Sequence, residues 1–268
     1  MITTFLLRKY FYSAILFFSC AATVCAQDGL RVDMAGLRFS MVNLSANYSS
    51  LTVSYTDQAS QPHHIYHPFS LDKVGPMYGG EIRYGAFRLK EGRHHKKGRT
   101  YIDGASIGWH QNRVSSFFHF YTGMGREYII NDGDWSIIPT LGAGISQMRY
   151  ELGSYKSTNG LPLNVKGKDF SQDFTLQLQH LSMIVVPKIS LVYPISFTFN
   201  LNFSVAWRLN VVSQETLLFI ADSYSKNGKY ANDSVKKGVQ ENGQYITGKC
   251  FNTSGLNLAA GMVWYFGD

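Results

Sequence analysis

Three sets of side chains in this sequence have types and spacing that could do chemistry. His119 follows Ser115 and Ser116 and precedes Glu127, so hydroxyls, an imidazole and a carboxylate stand close along the chain. A nucleophilic relay needs those three groups, and geometry rather than sequence order defines it. His63, His64 and His67 form a second set, with nitrogens a metal could use. Their stretch has only Asp57 and Asp72 as acids and no cysteine, so solvated histidines are the expectation, and no metal or other cofactor is expected. The third set is scattered: Glu81, Arg83, His119, His180, Lys188 and Arg208. What these six can do depends on which face of their elements they occupy.

The elements that carry them have period two. From Ser196 to Asn210, Phe197, Phe199, Leu201, Phe203, Val205, Trp207 and Leu209 share one face, while small polar residues and Arg208 share the other. A strand with one apolar and one polar face fits this and a helix does not. The same phasing puts Tyr78, Ile82, Tyr84 and Ala86 on the apolar face of their segment, opposite Glu81 and Arg83. It puts Phe118 and Phe120 opposite Ser115, His119 and Tyr121, and Met183, Ile189 and Leu191 opposite Ser182, Lys188 and Ser190. Strands also read at 50–55, 105–109, 136–146 and 256–266, for about eight in all; residues 30–47 could add a pair and make ten.

The polar face is mostly small and uncharged, unlike the Lys- and Glu-rich exterior of a soluble barrel. The apolar face is continuous and aromatic, as a lipid-facing band is. No later segment has the ~20 apolar residues of a spanning helix, so a membrane form must be a closed barrel. The six ionisable residues then face inward as a charge network, structural or pore-lining. An eight-strand barrel is just filled by its own side chains, and buried charges must pair.

At the start, Arg8 and Lys9 precede the apolar run Tyr10 to Phe18, and Val24-Cys25-Ala26 lies just before Gln27. This reads as a cleavable signal peptide over 1–26, with one domain over 27–268. An acylated Cys20 is the alternative, with Phe17 where a lipoprotein signal carries Leu or Val. Cys20 and Cys25 leave with the signal, so Cys250 alone gives no disulfide framework. The formal charge is +7, or +5 without Arg8 and Lys9. Arg93, Lys96, Lys97 and Arg99 are its densest cluster, better suited to anionic headgroups than to nucleic acid, for which secretion leaves no role.

The last strand resembles the C-terminal strand of bacterial outer-membrane barrel proteins. Leu256, Leu258, Ala260, Met262, Trp264 and Phe266 alternate with Asn257, Ala259, Gly261, Val263 and Tyr265, and Gly267 and Asp268 follow. The resemblance is to the small Gram-negative class, OmpA-type or porin-like. It implies an all-β, antiparallel up-and-down transmembrane β-barrel in the outer membrane. It also implies that Trp264 and Phe266 serve as a signal to the barrel-assembly machinery, and that outer-membrane lipid and lipopolysaccharide are partners. Residues 57–77, 152–174 and 211–252 become extracellular loops, the last of them mobile, and 91–100 an inner turn. The role expected is structural or surface interaction with an unknown partner, with a small channel or solute-binding barrel as the alternative. His119 with Ser115, Ser116 and Glu127 is similar to the sets that lipid A deacylase and palmitoyltransferase barrels carry near the rim, but it lacks their His-x-Ser pairing. An enzyme is therefore not expected, and a lipid A-modifying one is the lesser alternative.

Overall fold

In a computed structural model of the chain, residues 31–48, 50–56, 62–70, 75–88, 99–130, 135–155, 163–165, 168–170, 174–196, 198–221, 230–234, 239–241 and 244–266 are described. The signal peptide expected over 1–26 lies outside them, as do Lys226, Lys229, Lys236 and Lys237 of the last connection and most of the turn at 91–100. The described chain is all-β and antiparallel. No helix among its described residues is long and apolar enough to cross a membrane.

Eight strands close into a ring: β1 (Arg31–Val42), β2 (Met77–Arg88), β3 (Arg99–Gln111), β4 (Ser115–Ile130), β5 (Trp135–Tyr155), β6 (Phe174–Pro194), β7 (Phe199–Ala221) and β8 (Gly255–Phe266). Each pairs with its neighbours in sequence, and β1 closes the ring by pairing with β8. The register is staggered. One row runs from Phe39 through Gly80, Trp109, Phe118, Gln147 and Leu181 to Gln214 of β7. In the other direction Phe39 reaches β7 at Phe203, through Ala260. A ring closes with such an offset only when its strands tilt.

One expected wall strand is misplaced. Residues 50–55 belong instead to Ser50–Thr56, which pairs with Pro62–Ser70 and Val239–Glu241 in a separate small sheet. The wall strand is Arg31–Val42, in the stretch the sequence leaves ambiguous. Seven of the eight expected wall strands stand, and the count of eight rests on this exchange. The last connection also differs from expectation. β7 continues to Ala221, and short strands follow at 230–234, 239–241, 244–245 and 251–252.

The long connections, 43–76, 156–173 and 222–254, join strands at one end of the ring, and the short ones, 131–134 and 195–198, join them at the other. At the long end, 112–114 is a tight turn, where Asn112 Oδ1 accepts from the amides of Val114 and Ser115 and from the Ser115 hydroxyl.

Alternation sets inside from outside. In β7, Asn200, Asn202, Ser204, Ala206 and Arg208 are buried, and Phe203, Val205, Trp207 and Leu209 are exposed. The interior is layered. Met34, Phe87, Tyr101, Ile138, Val192 and Val263 fill the short-turn end. A larger apolar cluster including Phe117, Met148, Phe174, Phe219, Ile246 and Phe251 fills the long end. Charged side chains lie between.

Candidate functional site: the ionic interior

The expected inward residues Glu81, Arg83, His119, His180, Lys188 and Arg208 are all buried, at 3% exposure or less. The ring brings Glu81, Arg83 and Lys188 into one network and His180 into a second, sets His119 3.9 Å from Glu81 without a hydrogen bond, and leaves Arg208 outside both.

The larger network centres on Asp103 and Glu81. Asp103 Oδ1 accepts from Arg83 Nε at 3.2 Å, from the Ser106 hydroxyl at 3.2 Å and from the Tyr101 hydroxyl at 3.3 Å. Lys188 Nζ pairs with Asp103 Oδ2 and lies 3.4 Å from the Tyr121 hydroxyl, which donates to Glu81 Oε1 at 3.1 Å. Arg38 pairs with Glu81 and donates to Asn202 Oδ1 at 3.1 Å and Ser204 Oγ at 2.9 Å. Hydrogen-bonded charge thus crosses from β7 through β1, β2 and β4 to β6 and β3. A carboxylate in low dielectric needs such company, because an unpaired buried charge costs several kcal/mol.

Sequence phasing misses two members of this network, one of them a centre. Arg38 lies in the stretch left ambiguous. Asp103 is hidden by a bulge: Ser106, Gly108 and His110 point inward, and so do Tyr101 and Asp103, with an extra residue between the two series. The register shifts there, as a bulge requires. Extrapolating the phase of Ile107 and Trp109 back along β3 would turn Asp103 outward. Ala86 has outward parity but is covered, at 9% exposure.

The second network lies toward the long end. His180 Nδ1 is 2.9 Å from Glu215 Oε1, and its Nε2 is 3.2 Å from Thr253 Oγ1. Glu215 also accepts from the backbone amides of Cys250 at 2.6 Å and Phe251 at 2.9 Å. Asn210 Nδ2 donates to Thr253 Oγ1 at 2.8 Å. The order hydroxyl, imidazole, carboxylate is that of a relay, but Thr253 is fully buried and Glu215 is occupied by two amides. The set works as a clasp that ties 250–253 onto β7. Burial first, and then the Glu215 carboxylate, push the Cys250 thiol well above its usual range, so it stays protonated.

The relay considered from sequence is not assembled. His119 stacks on His110, with ring centroids 5.3 Å apart, and Ser115 belongs to the Asn112 turn. Glu127 lies eight residues farther along β4, ~26 Å at strand rise. It is buried within β4, where Arg99 Nε donates to it at 2.5 Å. His63, His64 and His67 fall on the strand Pro62–Ser70 rather than in a loop. No group of three metal-ligating side chains occurs among the described residues. Trp264 and Phe266 point outward on β8, Trp264 against Phe199 at 5.7 Å. Gly267 and Asp268 lie outside the described residues.

Compared with known proteins, the chain matches no family model and no curated relative.

Proposed function

We propose that this chain is an outer-membrane β-barrel protein with a structural or surface-interaction role, engaging its partner through the long-connection end. One observation carries the reading: large apolar side chains are exposed on every strand of a ring whose interior is charged. They include Phe39 (63%) on β1, Ile82 on β2, Trp109 on β3, Met124 on β4, Leu141 on β5, Ile189 on β6, Trp207 on β7 and Met262 on β8. A soluble protein rarely exposes an apolar patch beyond a few hundred Å2, and a belt of this extent suits contact with lipid. Outward aromatic pairs favour the same reading. Trp135–Tyr193 and Phe199–Trp264 lie toward the short-turn end, and Trp109–Phe118 and Phe39–Tyr78 toward the long end. Two such tiers suit two membrane interfaces.

Apolar layers at both ends of the ionic interior favour a filled scaffold over a channel. The test is flotation with phospholipid vesicles, combined with gel migration before and after boiling. Flotation with a compact unboiled species is expected. A monomer that stays soluble without detergent overturns the reading. Planar-bilayer recording separates the two roles, and steady conductance would favour the channel.

A further inference from the structure

Among the described residues, the ionisable side chains inside the ring do not pair one to one. Arg38 takes Glu81, while Arg83 and Lys188 share Asp103. Nearer the ends, Arg99 takes Glu127, and Glu215 is held by His180 and two amides. Arg208 is left over. It is fully buried, and among the described residues it has no carboxylate partner. Its Nη2 lies 3.4 Å from the Asn43 carbonyl, and its Nε and Nη1 have no hydrogen-bond partner among the described residues. A guanidinium does not lose its proton in a protein, so this charge cannot neutralise itself.

Its nearest contacts are further donors, and the one acid within electrostatic reach, Glu81, is already paired with Arg38. Arg208 lies over the Phe117 ring at 4.5 Å, and His110 and His119 pack on the same ring at 6.0 and 5.8 Å. Ser40 Oγ is 2.6 Å from His110 Nε2; with the hydroxyl donating, His110 carries its proton on Nδ1, which is buried without a partner. Among the described residues His119 makes no hydrogen bond through either nitrogen; Glu81 lies 3.9 Å away, and the Arg208 and Arg38 guanidiniums are also within electrostatic reach of its ring. Gly108 makes room for both imidazoles: a Cβ there would lie 2.4 Å from His119 Cε1 and 3.0 Å from His110 Cε1.

We propose that Arg208, with the His110–His119 pair, binds a small inorganic anion of halide size inside the ring. The anion supplies the missing negative charge and accepts from donors that have no protein acceptor. The inference rests on the ring's interior and not on its location, so its failure leaves the membrane reading intact.

The test uses the protein purified in nonionic detergent, with chloride titrated against gluconate at constant ionic strength. Saturable broadening of the chloride NMR line is expected, reversed by bromide. The melting temperature should rise by about 3–6 °C at tenfold saturation. Arg208→Met should lose both responses. No broadening in the wild type, or an Arg208→Met protein more stable than wild type at every chloride concentration, overturns the proposal. Should that variant not fold, anomalous scattering from wild-type crystals grown in bromide still decides. A bromide peak beside the Arg208 guanidinium supports the site, and its absence refutes it.

Discussion

Asp103 is the residue on which the ionic interior most depends. It accepts from Arg83, Lys188, Tyr101 and Ser106, and no sequence pattern singles it out. Asp103→Ala leaves two buried cations facing each other, so it should cost about 3–5 kcal/mol in urea unfolding from vesicles. Combining it with Lys188→Met should recover part of that loss, because one orphaned charge goes with it. A loss below 1 kcal/mol would mean that water already screens the site. A similar argument applies to charge added to the polar inner face. Asn202 is fully buried and bonded to Arg38. Asn202→Arg therefore brings a further cation into a full interior already short of carboxylates, and it should destabilise at least as much as Leu201→Arg. Unfolding of the two variants side by side checks this.

At the scale of elements, strand alternation was legible wherever it ran unbroken, as in β6, β7 up to Asn210, and β8. It failed where the backbone inserts a residue. The bulge in β3 hid Asp103. A second bulge, at Val211, leaves Val211 and Val212 both exposed and moves Glu215, Leu217 and Phe219 to inward positions. Past that point the sequence reads as loop, which is why the clasp was not anticipated: its carboxylate is on the extended strand and its amides are 35 residues or more farther on. β1 is ambiguous in sequence because its inner face mixes the apolar Met34 and Val42 with Gly36, Arg38 and Ser40, so both faces carry apolar residues. The clasp makes a prediction of its own. Glu215→Ala should free the amides of Cys250 and Phe251 and expose the thiol. Maleimide should then modify Cys250, which is inert in the wild type, while hydrogen exchange in β1 and β8 stays slow. Unchanged protection at 250 and 251 would show that the Phe251 packing alone holds the segment.

For the whole molecule, the asymmetry between the two ends sets the orientation that the proposed membrane form would take. The chain enters β1 and leaves β8 at the short-turn end, where the turn at 195–198 also lies. The connections 43–76, 156–173 and 222–254 lie at the other end, and in bacterial barrels the long connections face outward. Both ends offer an exposed residue on a described turn: Arg113 on the tight turn at the long end and Ser196 at the short one. Each can be replaced by cysteine with little background, since Cys250 is buried and its thiol stays protonated. Arg113→Cys should react with a membrane-impermeant maleimide on intact cells. Ser196→Cys should react only after the outer membrane is opened, and mass spectrometry assigns the label in each case. The reverse pattern would turn the molecule over and put the long connections, and any partner they engage, in the periplasm. Equal labelling of both sites on intact cells would mean that the apolar belt covers something other than a bilayer. That outcome would reopen the case for a soluble ring whose outer face docks against another protein.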